Sequence, residues 1–360
     1  MGFIQAVGIA ELPYKISQEE SKKFAKELFS DSFDDIERLL SVFQNGEIKS
    51  RAISMPMEWY GEDHSLSEKN DLYIKKSVEF LKKSIEKCFQ KAEVCGVNVD
   101  LTDIDAIFMI STTGFATPSL DAHIMNELPF SPTTKRIPIW GLGCAGGAAG
   151  LARAREYCLA FPEAAVLVCS VELCSLTFMK NDTSKSNFIG SSLFSDGAAT
   201  VLMTGRENKK RTKNPVPFVL ESQSNLMPNS MDVMGWKIGD EGLHVIFSRD
   251  IPSIIKKWLR PNIEELLHKK QWNFSEIDTL IAHPGGKKVM DAYRESLDVE
   301  ESLLHSSQKI LSNYGNMSSC TILYVLEDIM EQKYGEGTKG IAAALGPGFS
   351  SELSLVEWCK

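Results

Sequence analysis

An α/β fold is predicted by three features of the chain. Apolar runs of strand length, such as "DAIFMIST" and "AAVLVCSVE", alternate with helices rich in small residues, the rhythm of a strongly buried, mixed or parallel sheet with helices on its faces. At 360 residues the chain exceeds one simple hydrophobic core, so two packed halves are expected. A composition of 43% hydrophobic and 24% charged residues is that of an ordinary folded globular protein and excludes disorder.

The first third reads as helix-rich. Ser17 followed by Glu20 in "SQEESKKFAKELF" predicts a capping box, and "DDIERLLSVF" and "NDLYIKKSVEFLKKSIEKCFQKAEV" carry apolar residues at helical spacing, as amphipathic surface helices do. The sheet rhythm follows: the strand "DAIFMIST", a helix from Leu120, the strand "RIPIWGLG", a helix from about Ala145, then "AAVLVCSVE". It breaks at the basic, Pro-containing stretch Gly205 to Pro217, read as the seam between an N-terminal half (1–215) and a C-terminal half (216–360); a long surface hairpin fits that stretch equally. Beyond it come "FVLESQ", a helix through "PSIIKKWLRPNIEELLHKK", the strand "DTLIAHP", a helix after "SNYGNMSS", and the closing strands "KGIAAALGPG" and "SSELSLVEW". No direct sequence repeat or low-complexity segment is visible.

A formal net charge of −9 argues against general binding to nucleic acid or an anionic membrane surface. The N-terminal stretch lacks the basic, apolar and small-residue regions of a signal peptide, and no apolar run is long enough to span a bilayer, so a cytoplasmic protein is expected. Its Met-Gly start matches a myristoylation signal only in part, because position 6 is Ala. The eight cysteines include no CxxC pair and no zinc-finger histidine partner, so they are expected to be reduced and mostly to fill the core.

Three residues stand out chemically. Cys144, in "WGLGCAGGAAGLARAREY", follows a strand and a tight Gly turn at the start of a helix, where unpaired N–H groups and the positive end of the dipole favour thiolate. The small residues after it suit a helix packed closely against other backbone; alone, the stretch reads equally as a core cysteine. His283 ends the strand in "LIAHPGGKKVMDA", and Asn316 lies in the turn of "LSNYGNMSSCTILYVLEDI". Singly these are better read as a structural histidine and a helix N-cap, with Asn313 a rival of the same type. Together they supply a nucleophilic thiol and donors for a developing oxyanion, the parts thioester chemistry needs.

The stretches "GCAGG", "IAHPGG", "SNYGNMSS" and "GPG" at 346–348, with "SSLFSDGAA" between the first two, resemble the chalcone synthase family, the type III polyketide synthases of the thiolase-fold superfamily, closest in character to bacterial alkylpyrone synthases. The resemblance runs from the first helices to the C-terminus. It implies a thiolase-like fold of two pseudo-repeated halves in α-β-α-β-α layers, a homodimer, CoA thioesters as substrates and no metal or redox cofactor. Cys144 is then the acyl-carrying nucleophile, its thiolate held ready by a charged His283, and His283 and Asn316 bind the thioester oxygen. Phe194 matches a gatekeeper between CoA tunnel and cavity. Val245 stands where plant members carry a second gatekeeping aromatic, and Trp236 where they carry a small residue. Thr112, Thr117, Thr177 and Ser318 match further cavity positions, Thr117 one that reaches into the partner's cavity; core packing is the alternative for all of these. Arg38 matches a CoA-phosphate contact, though a solvated helix face explains it as well.

The implied reaction is iterative decarboxylative condensation of malonyl-CoA onto an acyl-CoA starter. Small side chains at Thr112, Thr177 and Val245 favour a fatty acyl starter, and the resemblance to bacterial alkylpyrone synthases implies an alkylpyrone product. Three rivals remain: a single-condensation enzyme like ketoacyl carrier-protein synthase III, a hydroxymethylglutaryl-CoA synthase, and a non-catalytic thiolase-fold protein that binds acyl thioesters. "HPGG" and "GNMSS" argue against the first, and no catalytic glutamate is evident for the second. A papain-like protease shares the Cys, His, Asn order, but its nucleophile sits near the mature N-terminus and is followed by an aromatic residue.

Overall fold

The computed structural model describes residues 2–33, 35–239 and 242–360. The N-terminal half runs β1 (Gly2–Ile9), β2 (Tyr14–Ser17), α1 (Gln18–Phe29), α2 (Ile36–Asn45), β3 (Ser50–Ile53), α3 (Leu66–Val94), β4 (Ala106–Ile110), α4 (Leu120–Glu127), β5 (Lys135–Ile139), α5 (Gly146–Ala160), β6 (Ala165–Leu173), α6 (Lys185–Leu193) and β7 (Asp196–Gly205). The C-terminal half follows as β8 (Val216–Leu226), β9 (Met234–Gly239), β10 (Gly242–Phe247), α7 (Ile251–His268), β11 (Thr279–Ala282), α8 (Lys287–Leu297), α9 (His305–Tyr314), α10 (Thr321–Glu331), β12 (Lys339–Gly346) and β13 (Ser350–Cys359).

Nine strands form one mixed sheet in the order β11-β12-β13-β8-β1-β7-β6-β4-β5. Its middle is the short antiparallel seam of β1 and β8, where Gly2 pairs with Val219 and Phe3 with Phe218. Outward from that seam the halves repeat one topology. β7 and β13 run antiparallel to β1 and β8, β6 and β12 antiparallel to those, and β4 and β11 parallel to β6 and β12.

Strand alternation sorts the core into layers. Phe108, Ile110, Val166 and Val168 face a central cluster that also takes Ala148 and Leu151 from α5, Ile322 and Leu326 from α10, and Ala342 and Val356 from the other half. Their neighbours Ile107, Met109, Leu167 and Cys169 face the opposite way, onto Phe80, Leu81 and Ile85 of α3. On the far side α7 and α8 cover the C-terminal half with Ile255, Leu259, Met290 and Tyr293. The order is therefore α-β-α-β-α, with α5 and α10 as the buried middle layer.

Two elements depart from the sequence reading. The helix-rich first third opens with β1, the fully embedded strand at the centre of the sheet. β9 and β10 form a separate hairpin, with Trp236 opposite Val245. The capping box of Ser17 and Glu20 is present at α1. No described helix is long and apolar enough to cross a membrane.

Candidate active site

Cys144 sits in a single turn, Gly143–Ala145, that leads directly into α5. Gly143 has φ +47°, which a residue with a side chain rarely adopts, and a Cβ there would meet the Pro347 ring at 2.8 Å. The small residues behind the thiol have a physical reason: a Cβ on Gly147 would lie 2.2 Å from the carbonyl oxygen of Ser319, so α5 touches the start of α10 backbone to backbone. That contact brings Cys144 of one half against the Asn316 turn of the other.

The thiol of Cys144 points at Asn316 Oδ1 at 3.9 Å. The same oxygen accepts the Ser318 amide at 2.8 Å, while Asn316 Nδ2 donates to the carbonyl of Gly285 at 3.2 Å. Gly285 lies two residues beyond His283, whose own amide donates to Ala343 on β12 at 2.8 Å. Asn316 thus bridges the cysteine turn and the His-Pro-Gly-Gly turn. It does not cap α10, whose N-cap is Cys320. Its side chain is committed across the seam instead, with one amide hydrogen still unassigned. His283 is 2% exposed, and neither of its ring nitrogens has a hydrogen-bond partner among the described residues.

Electrostatics bear on the expected thiolate. Burial pushes the Cys144 thiol up to about 11, against the pull of hydrogen bonds from Ser318 and Asn316, and the nearby Glu172 adds to the rise. Burial pushes His283 down to about 3. Burial thus opposes both the thiolate of Cys144 and the imidazolium of His283, and so works against the pull of the helix terminus.

A pocket with about 730 Å³ of space between its atoms, part of it open to solvent, lies between α1 and the Phe194 segment. Thr177, Phe194, Trp236 and Val245 all line it, together with aromatic and aliphatic side chains that include Phe24, Phe29 and Phe178. Phe194 stacks on Phe247 at 5.5 Å and lies 6.1 Å from Trp236. Its backbone forms an isolated parallel bridge with Asn316, which joins the pocket lining to the site.

The remaining sequence candidates fall elsewhere. Thr112 is buried beneath the cysteine turn, where its hydroxyl accepts the Gly143 amide at 3.2 Å. Ser318 is buried beside Cys144, with φ +50°. Thr117 is exposed ahead of α4, and Arg38 is exposed on α2. Asn313, the rival amide, lies in the last turn of α9; its carbonyl accepts from the Ser50 hydroxyl at 2.8 Å.

The sequence reading missed Glu172 and Tyr293. Glu172 on β6 is fully buried, accepts the amides of Thr112 and Thr113 and the hydroxyls of Thr113 and Ser319, and burial raises it to about 7. It holds the ledge under the cysteine turn through Thr112. Tyr293 on α8 is 1% exposed, its hydroxyl has no partner among the described residues, and a negative charge on Cys144 would be felt there. Within "VLVCSVELCSL" Glu172 is the lone charge, a signal that was available. Tyr293 carried no signal, since a Tyr on an amphipathic helix is common.

Known proteins resemble this chain along its whole length. Residues 2–206 match the N-terminal domain, and residues 219–358 the C-terminal domain, of the chalcone and stilbene synthases. A putative chalcone synthase of Bacillus subtilis is 50% identical, with 100% of both chains covered. An alpha-pyrone synthesis polyketide synthase-like protein of Mycobacterium tuberculosis is 27% identical over 95% of this chain and 87% of its own. The crystal structure of 1,3,6,8-tetrahydroxynaphthalene synthase from Streptomyces coelicolor, a bacterial type III polyketide synthase, superposes with a TM-score of 0.90 at 28% identity, covering 99% of each chain. With the site geometry and these likenesses in hand, the chain belongs to the chalcone and stilbene synthase family, the type III polyketide synthases, which are malonyl-CoA-using acyltransferases.

Proposed function

We propose that this enzyme extends a long-chain fatty acyl-CoA starter with malonyl-CoA units and releases alkylpyrones. Cys144 Sγ attacks the starter thioester as His283 takes the thiol proton. The tetrahedral intermediate collapses, and CoA leaves carrying that proton. Malonyl-CoA then loses CO₂, and the electron pair of the broken C–C bond passes into an enolate whose oxygen receives hydrogen bonds from a ring N–H of His283 and the free amide hydrogen of Asn316. The enolate carbon attacks the acyl-Cys144 carbonyl, the Cys144 thiolate leaves, and a β-ketoacyl-CoA two carbons longer is ready to reload. A histidine held neutral suits both duties, because one nitrogen accepts while the other donates. No metal or redox group takes part in this scheme.

The observation that carries the starter assignment is the apolar, aromatic-walled pocket lined by Phe194, one backbone bridge away from Asn316. Its mostly apolar lining suits a fatty chain. The similar Mycobacterium tuberculosis protein, named for alpha-pyrone synthesis, supports the product class. In this reading the chain works as a homodimer of CoA-binding subunits. Each subunit is divided at about residue 215, Thr117 approaches the partner's cavity, and Arg38 meets the CoA phosphates.

Purified protein given malonyl-CoA and acyl-CoAs of graded length tests this by mass spectrometry of the products. Pyrones from two or more extensions, with highest yield on long chains, are expected. A single added ketide, or CoA release no greater than that of Cys144→Ala, would overturn it. Val245→Phe, which fills the pocket wall, is expected to move the optimum toward shorter starters by several carbons.

A further inference from the structure

Arg51 is a buried cation that the reaction just described does not use. It lies on β3, is 5% exposed, and lines the inner pocket wall with Tyr60, Ser175 and Phe194. Burying a guanidinium is costly unless it is paired, yet Arg51 forms no ion pair among the described residues. Asp196 is near enough to act on its charge, but that carboxylate accepts from Ser54 and Ser175.

What Arg51 does touch is the junction of gate and amide. Its Nη1 donates to the carbonyl of Phe194 at 2.6 Å. Its stem lies against Gly315, where a Cβ would come within 2.9 Å of Arg51 Cγ. Between these two contacts the backbone is woven: the Asn316 amide donates to Leu193, and the Ser195 amide donates to Asn316. β3 and Lys49 just before it are also stitched to the end of α9, which leads into the Asn316 turn, and to the Phe194 segment. Lys49 donates to Ser312 and Ser50 to Asn313 on one side, and Ala52 exchanges hydrogen bonds with the Ser195 hydroxyl on the other. A four-residue strand from the N-terminal region is wedged between the Phe194 segment and the Asn316 turn, with Arg51 spanning both.

We propose that Arg51 is a positioning residue that fixes Phe194 and Asn316 relative to each other, so that the pocket gate and the enolate-binding amide act as one unit. Cys144 sits on a different turn, held by Thr112 and Glu172, and Arg51 does not touch it. Removing Arg51 should therefore separate the two half-reactions. Displacing a binding group by about 1 Å costs about 100-fold in rate.

The inference rests on the reading of Asn316 as the enolate donor, so the experiment measures both. Malonyl-CoA decarboxylation in the absence of starter, and acylation of Cys144 by a panel of acyl-CoAs followed by intact-protein mass, are compared in wild type, Arg51→Met, Arg51→Lys and Asn316→Ala. Arg51→Met should lower decarboxylation about 10- to 100-fold in kcat, with acylation within about threefold of wild type. Arg51→Lys should restore part of it by returning a donor to Phe194. If Arg51→Met does not fold, Arg51→Lys carries the test alone, with a reduced decarboxylation-to-acylation ratio expected. Unchanged decarboxylation, or acylation that falls in step with it, overturns the proposal. Asn316→Ala that keeps decarboxylation would instead sink the Asn316 reading, and this inference with it.

Discussion

The two buried helices of the middle layer, α5 and α10, make an instructive pair. Each occupies the same place in its half, crossing to the strand that pairs with the half's last strand, and each is entered through one tight turn, Gly143–Ala145 or Ser318–Cys320. Both turns open on a left-handed residue, Gly143 at φ +47° and Ser318 at φ +50°. The second residue of each differs in kind. In the first turn it is Cys144, whose thiol faces Asn316. In the second it is Ser319, whose hydroxyl donates to Glu172 and meets Ser170 at 2.8 Å. The two turns share a shape, and in the proposed reaction one is the place of chemistry while its counterpart is part of the frame that holds it.

Exchanging the two roles gives the largest expected effect. Cys144→Ala removes the acyl carrier and should lower condensation by about 10,000-fold, read as pyrone formed per minute. Ser319→Ala should leave condensation within about fivefold and lower stability instead, by about 1–2 kcal/mol, because Glu172 loses a donor in a buried site. A Ser319→Ala enzyme as inactive as Cys144→Ala would break the comparison.

The contact between the helices comes next. Gly147→Ala places a methyl group against the Ser319 backbone, where no flexible side chain can yield. Overpacking of this kind costs about 3 kcal/mol, and for a chain of this length the unfolding midpoint should fall by about 5 °C in calorimetry. An unchanged midpoint would mean that the helices do not rely on backbone contact.

The same comparison shows what the sequence could convey. The glycine and alanine run after Cys144 announced close packing, because only missing side chains permit it. The apolar strands β4, β6 and β11 were plain from their β-rich runs. The repeat of topology was not, since "GLGCAGG" and "NMSSCTI" share backbone shape without sharing residues. β1 was missed for a related reason: Gln5 and Gly8 interrupt its apolar pattern. Gln5 is satisfied inside the sheet by Thr204 and Thr212, and Gly8 lets α3 approach so closely that a Cβ would lie 2.2 Å from the Cys88 amide. Both facts depend on partners far away in the chain. The upward pull of burial on the Cys144 thiol was not legible, because a helix terminus is visible in sequence and depth of burial is not.

That upward pull offers the finest test. With the thiol raised to about 11 and His283 lowered to about 3, no histidine titrates at this site between pH 6 and 9. The thiolate fraction of Cys144, and with it the rate of alkylation by iodoacetamide, should climb about tenfold per pH unit across that range. A preformed thiolate–imidazolium pair would give a flat profile over the same interval. Glu172 sharpens the distinction. Its carboxyl group, raised to about 7, is ionised at pH 8, and its negative charge helps to hold the thiol up. Glu172→Gln removes that charge, so thiolate forms more readily and the whole profile should move to lower pH, with alkylation at pH 8 faster by about two- to fivefold. The corresponding change on the α10 side, Ser319→Ala, leaves the carboxylate less well solvated and harder to ionise. It should move the profile in the same direction, but by less. A Glu172→Gln profile displaced to higher pH would show that the ledge under the cysteine turn acts by geometry alone and not through its field.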